Sequence, residues 1–312
     1  MSFTVAPLHN LSLPPASRVP FGKFSIQDVP EWLTDDTGTL NDLSRHDRMA
    51  TLSCKQALVS EYDADTMGHP DPEWKGQNPR GIQELRFQSA MLANMCMWMI
   101  MPSSLCFTIC FHALTRVDSG LTVDPPLVLR SDREGPLYCH PRDVQNTVAP
   151  NCLMKAAKLY ETLSTVSRKN DIWPALRAFW AALVSYQADY RYPLFWQGLE
   201  SLFGSDDDRG VSRRLRDRIS HFLADNPKTQ QELCDKVKVC YRTRSEIIHG
   251  RWEENPDFDD HTYDIEAIVR TVVRHIADKP GMLDAFLSPK RDAFLEAWML
   301  SKAFTPPPLP QP

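Results

Sequence analysis

Residues 227–252 read PKTQQELCDKVKVCYRTRSEIIHGRW, a run that opens on a proline and meets a glycine near its end. Proline suits the first turn of a helix, where the N–H groups lack partners anyway, and Gly250 supplies a natural stop. Between them Leu233, Val237, Tyr241, Arg244 and Ile248 recur every three or four residues. That spacing predicts one long helix with these residues on one side. An arginine in line with an apolar stripe is unusual, because a guanidinium taken out of water needs a partner.

The residues around this run have the same texture. CLMKAAKLYETLSTV (152–166) predicts a helix. Another follows Asp171, a candidate cap, with Ile172, Leu176, Phe179, Leu183 and Tyr186 near one face. PLFWQGLESLFG (193–204) predicts a helix opened by Pro193, with Leu194, Trp196, Leu199, Leu202 and Phe203 as core candidates. Helices are also expected over 211–223, 263–276 and 290–303. The expected fold is therefore mainly α: a helical bundle over 151–303 behind an α+β region over 1–150, with a Pro-rich tail at 304–312.

The N-terminal region is harder to read. Up to about residue 80, clusters such as HPDPEWKGQNPRG predict loops with short elements. A helix is expected over 83–101, then strands over 105–114 and 121–130. The internal Pro pair at 125–126 puts the last at an edge or a bulge. The apolar stretch 90–114 has the length to cross a bilayer, about 20 residues, but Asn94 and Pro102-Ser103-Ser104 divide it. A buried helix, a turn and a buried strand fit it better. MSFTVAPLHNLSLPPASR lacks a basic stretch followed by an apolar one, so no secretory signal is expected, and a cytoplasmic chain without membrane attachment is.

Composition excludes several classes. Only 12 of 312 residues are glycine, and no glycine-rich phosphate loop occurs. The eight cysteines form no C-x-x-C pair. On one strand Cys106 and Cys110 would stand about 13 Å apart. One zinc at about 2.3 Å from each sulfur cannot bridge them. Neither a metal nor another cofactor is expected, and the thiols read as buried and reduced.

Charge is unevenly placed. Residues 1–150 carry 12 basic and 17 acidic groups, whereas 151–312 carry 23 of each. Within 209–251 there are 11 basic groups against 5 acidic, followed by seven acids and no base over 252–266. A basic block is ordinarily a solvated face. Around a helix bearing His249 it is also a candidate anion site. In that reading Arg213, Arg214, Arg216 and Arg218 form an RNA track, and Arg242 is a further phosphate contact. The bland reading of each is solvated surface, and for Trp173, Phe179, Trp180 and Trp196 it is core packing rather than base stacking.

The chemistry centres on Arg244 and His249. An imidazole can take a proton from a ribose 2′-hydroxyl while a guanidinium holds the phosphate oxygens, with no metal involved. On a regular helix the two residues stand about 140° apart. Cleavage also needs an acid for the leaving oxygen. One helix carries one histidine, so a second copy of the chain is the economical source. Equally, His249-Gly250 reads as a helix C-cap, and Arg244 as a structural arginine paired with Glu200 or Glu246.

Tyr241-Arg-Thr-Arg244-Ser245-Glu-Ile-Ile-His249-Gly250, preceded by Leu199-Glu200-Ser-Leu-Phe203, resembles the signature of the HEPN superfamily, in particular its Apea-like branch. The resemblance covers about residues 150–300. It implies a dimerising helical bundle, a cleft shared between protomers, and metal-independent RNA cleavage in toxin–antitoxin or anti-phage systems. An antitoxin or regulatory protein would then be a partner. Carried over by position, Arg244 and His249 are the catalytic pair, with Ser245 and Glu200 auxiliary. Ser245 departs from the Asn, Asp or His common after the motif arginine in active nucleases. Other members are inactive and only dimerise or bind nucleotide, RNA or protein.

Overall fold

A computed structural model describes residues 2–35, 40, 43–62, 79–102, 105–114, 127–130, 149–166, 172–204, 210–251, 255–279 and 281–301. The chain divides into two compact units, one of residues 1–139 and 143–164, the other of residues 140–142 and 165–312. Asp171, the 121–126 part of the last expected strand, and the Pro-rich tail lie outside the described residues.

The first unit is built on an antiparallel sheet. Its strands are β1 (Ser2–Leu8), β2 (Val19–Phe21), β3 (Phe24–Asp28), β4 (Gln56–Tyr62), β5 (Ile109–Leu114) and β6 (Leu127–Arg130). They lie in the order β2-β3-β4-β1-β5-β6. Four of them fall before residue 80, where the proline and glycine clusters predicted mainly loops. Pro7 hides β1: it pairs opposite Ala57 of β4 but lies past the end of the β5 pairing, so its missing N–H breaks no bond on that side. Among the described residues β6 is an edge strand of the sheet, one of the two placements expected from the Pro pair.

Register puts Val5 opposite both Val59 and Phe111. These three join Leu33, Leu40, Leu43, Ala57 and Ile109 in one buried cluster. Alternation turns Ala6, Leu58 and Cys110 to the opposite face, and they too are fully buried. Short helices α1 (Glu31–Asp35) and α2 (Arg45–Ser53) precede β4, and α3 (Pro79–Ile100) precedes β5. The helix and the buried strand expected within 90–114 are both present, while Ser103 and Ser104 of the expected turn lie outside the described residues; no helix among the described residues is long and apolar enough to cross a membrane.

Helix α4 (Pro150–Ser164) belongs to this unit, although its texture grouped it with the bundle from residue 151. The reason is Tyr160. Its ring packs on Phe21 and Phe24, centroids 5.7 and 5.9 Å away, either side of the two-residue β2–β3 turn. Gly22 opens that turn at φ 59° and lies against the same ring, where a Cβ would collide.

The second unit comprises α5 (Ile172–Val184), α6 (Ala188–Phe203), α7 (Val211–Leu223), α8 (Pro227–Ile248), α9 (Phe258–Asp278), α10 (Met282–Leu287) and α11 (Arg291–Ser301). α6 starts five residues before Pro193, which therefore lies inside the helix rather than opening it. Gly198 lets α6 approach α5 so closely that a Cβ there would overlap the Phe179 ring. Tyr186, placed with the apolar face by spacing, lies beyond the end of α5 and is exposed. Phe203, Phe222, Phe286 and Trp298 form an edge-to-face aromatic core from α6, α7, α10 and α11.

The described cysteines are all unpaired, five of them buried. Burial, with Cys106 nearby, pushes the Cys54 thiol up to about 12, and burial raises Cys96 and Cys110 as well. These thiols are packing groups rather than nucleophiles.

Candidate functional site

Helix α8 is defined at both ends by its own sequence. The Asn226 side chain accepts the Thr229 N–H at 3.0 Å, with Pro227 in the first turn. At the other end Gly250 takes φ 69°. Its N–H donates to Ile247 O (2.9 Å), and the Arg251 N–H donates to Glu246 O (2.8 Å). This double closure fixes His249 at the helix C-cap, exposed to solvent.

The buried side of α8 consists of Val237, Cys240, Thr243 and Ile247. That is a rotation from the predicted stripe, and Ile248 is 55% exposed. The shift follows from hydrogen bonds that apolar periodicity does not count. Tyr192 Oη donates to Cys240 O (2.9 Å), and Thr243 Oγ1 pairs with His261 Nδ1 (2.7 Å). Burial pushes the Tyr192 phenol well above its usual range, so it stays a donor.

Arg244 lies at the side of this stripe and has the partner that its position demands. Its Nη2 is 3.1 Å from Glu200 Oε1 and donates to Oε2 at 3.4 Å. Its guanidinium carbon sits 5.4 Å from the centroid of Tyr241, which packs edge-on against Trp196 at 5.0 Å. Burial raises the Glu200 carboxyl, and Arg244 opposes that shift. About a quarter of each side chain remains exposed, so the pair is open to solvent.

His249 belongs to a different side of the helix. At 100° per residue it lies within about 60° of Arg242, Ser245 and Glu246 and about 140° from Arg244. Those three neighbours line a groove of about 600 Å³, together with Thr243, Arg251, Asn255 and His261 among others. Arg242 Nε donates to Glu246 Oε1 (2.9 Å), and Asn255 Nδ2 donates to Glu246 Oε2 (2.8 Å). The structure thus brings Ser245, Arg242 and the His249 position together on one side and ties Arg244 to Glu200 on another.

The expected RNA track on α7 is not continuous. Arg213 is exposed, with Nε 3.6 Å from Asp217, and Arg216 Nε donates to Asp217 at 3.0 Å. The Asp217 hydrogen bond raises the Arg216 guanidinium further. Arg213 and Arg214 line a second groove of about 510 Å³ with His221, Gln230, Met299 and Leu300. Arg218 cannot belong to such a track because it is buried. Its guanidinium donates to Phe203 O (2.9 Å), Gly204 O (3.0 Å), Asp292 (3.1 Å) and Glu296 (2.7 Å). It clamps the C-terminus of α6 to α11.

Sequence reasoning passed over Thr243, Arg251, Asn255 and His261. The available signal was a lone histidine at the start of the helix after the motif. Among the described residues no group of three or more His, Cys, Asp or Glu side chains could hold a metal ion.

No family model, curated protein or solved structure matches the chain. The functional reading accordingly stands on the motif and its geometry.

Proposed function

We propose that the C-terminal unit is a metal-independent endoribonuclease of the HEPN type, acting in the cytoplasm as a homodimer in toxin–antitoxin or anti-phage defence. The observation that carries this reading is the end of α8. His249 is exposed on a helix terminus made rigid by its glycine closure, one and a half turns after an arginine that is solvent-accessible and held in one orientation. Such preorganisation is what a charge-stabilising site requires.

In the reaction His249 takes the proton of a ribose 2′-hydroxyl, and O2′ attacks phosphorus. Arg244 holds the non-bridging oxygens as charge builds on them. The P–O5′ bond breaks, and O5′ takes a proton from a second imidazole. The products are a 2′,3′-cyclic phosphate and a 5′-hydroxyl. Arg242, on the His249 side, contributes a further phosphate contact, and Arg213 and Arg214 extend the basic surface. An antitoxin or regulatory protein would hold such an activity in check.

One observation favours a second reading. The Arg244–Glu200 pair satisfies the motif arginine within the bundle, as suits a non-catalytic HEPN module that dimerises and binds nucleotide, RNA or protein. Labelled RNA incubated with the purified full chain in EDTA separates the two. The nuclease reading expects fragments from wild type and none from Arg244→Ala or His249→Ala. Tight RNA binding with no fragments from wild type would support the binding module.

A further inference from the structure

The groove beside α8 contains an imidazole oriented for acid–base chemistry. Thr243 Oγ1 pairs with His261 Nδ1 at 2.7 Å and has Val239 O within reach at 3.3 Å, so the hydroxyl can pass its own proton to the carbonyl when Nδ1 carries one. In an imidazolium both ring nitrogens carry protons, and Nδ1–H then has the Thr243 hydroxyl oxygen as its acceptor. Asn255 Nδ2, which also donates to Glu246, approaches the same hydroxyl at 3.4 Å. Nε2 of His261 has no hydrogen-bond partner among the described residues, and the ring lines the groove. A histidine pinned through one nitrogen, with the other left for a ligand, is the arrangement of an oriented acid or base.

The surroundings specify the ligand class. Two guanidinium groups line the groove: Arg242, and Arg251, which makes no ion pair among the described residues. Glu246 and Asp257 line it as well, but both Glu246 oxygens are already engaged, by Arg242 and Asn255. Ser245 adds a hydroxyl, and His249 lies about 40° from Ser245 around the helix. Cations, a hydroxyl and an oriented imidazole suit a phosphate group.

We propose that this groove binds an RNA phosphodiester and that His261 is the acid protonating the leaving 5′-oxygen, so that one chain supplies both imidazoles of the cleavage. This rests on the ribonuclease reading and replaces the second copy's histidine with a residue of the same protomer. His249 accepts the 2′-hydroxyl proton, the O2′–P bond forms and the P–O5′ bond breaks. His261 Nε2–H passes its proton to O5′ while Nδ1–H stays on Thr243. The step ends with His249 protonated and His261 neutral, and exchange with water restores both. Arg251 joins Arg244 in holding the non-bridging oxygens.

The test uses the full chain in EDTA on two substrates: an RNA oligonucleotide and uridine 3′-(4-nitrophenyl phosphate), whose phenolate leaves without a proton. His261→Ala and His261→Asn are compared with wild type and His249→Ala; Asn retains an N–H donor for Thr243. We expect both His261 variants to lose about 100-fold or more on RNA but less than about tenfold on the aryl ester. His249→Ala loses both activities. His261 variants that cleave RNA within threefold of wild type, while His249→Ala does not, would overturn the assignment and leave the ribonuclease reading standing. Equal losses on both substrates, or wild-type activity in the Asn variant alone, would reduce His261 to a structural role. A wild type that cleaves neither substrate would remove both readings together.

Discussion

Arg244 Nη2 lies 3.1 Å from Glu200 Oε1, joining the motif helix α8 to helix α6. Both side chains are about a quarter exposed, so solvent screens the pair and its stabilisation is modest. A double-mutant cycle with Glu200→Ala and Arg244→Ala, read by urea denaturation, is expected to give a coupling of about 1 kcal/mol. The activities should divide differently. Glu200→Ala, which removes the orienting partner of Arg244, is expected to weaken RNA cleavage without abolishing it, whereas Arg244→Ala is expected to abolish it. Loss of cleavage in both would make Glu200 part of the chemistry.

Arg218 presents the opposite case. Its buried guanidinium is held by two carbonyls and two carboxylates, and removing it strands those acceptors. Arg218→Ala is expected to cost about 3–5 kcal/mol in urea denaturation. Arg213→Ala, on an 81% exposed side chain, should stay within about 0.5 kcal/mol. Equal effects would contradict the burial that separates these two arginines.

The two helix glycines test different physics. Gly198→Ala drives a methyl into the Phe179 ring, and overpacking there should cost about 1–3 kcal/mol. Gly250→Ala meets open space, so its expected cost of about 1 kcal/mol comes only from forcing a side chain into φ 69°. Thermal melts of the two variants should rank them in that order.

In the sheet, His112 Nδ1 is 2.8 Å from Thr4 Oγ1. Burial, reinforced by Arg86, lowers His112 to about 3. The unfolded chain therefore takes up a proton that the native state refuses. Stability tied to this residue is intact above about pH 6.5 and is lost as pH falls toward 3, by at most about 5 kcal/mol. His112→Asn removes the titration, so between pH 6.5 and 4 its stability should decline less steeply than that of wild type. Parallel declines would contradict the assignment.

The helical half was legible because its segments are long and periodic and carry their own caps; Val211–Leu223 and Pro227–Ile248 came out almost residue for residue. The early strands were not. Pro7 and Gly22 look like breakers in one dimension, yet they sit where the sheet needs no N–H or needs a tight turn. α4 was misgrouped because what decides its place is Tyr160 meeting Phe21 and Phe24, about 140 residues away in the chain. In the candidate site, the motif singled out Arg244, Glu200 and His249, and of the two partners the sequence allowed Arg244 the structure has Glu200. The rotated buried face, the burial of Arg218 and the Thr243–His261–Asn255 network depend on hydrogen bonds between helices, which no single-helix pattern contains.

Metal-free RNA cleavage by the exposed His249 is the step on which the proposed function depends. The direct measurement is end-group analysis of RNA incubated with the full chain in excess EDTA, wild type beside His249→Ala. Wild type is expected to leave 2′,3′-cyclic phosphate and 5′-hydroxyl ends, and the variant none. Identical fragment patterns from the two proteins, or 5′-phosphate ends, would contradict that step.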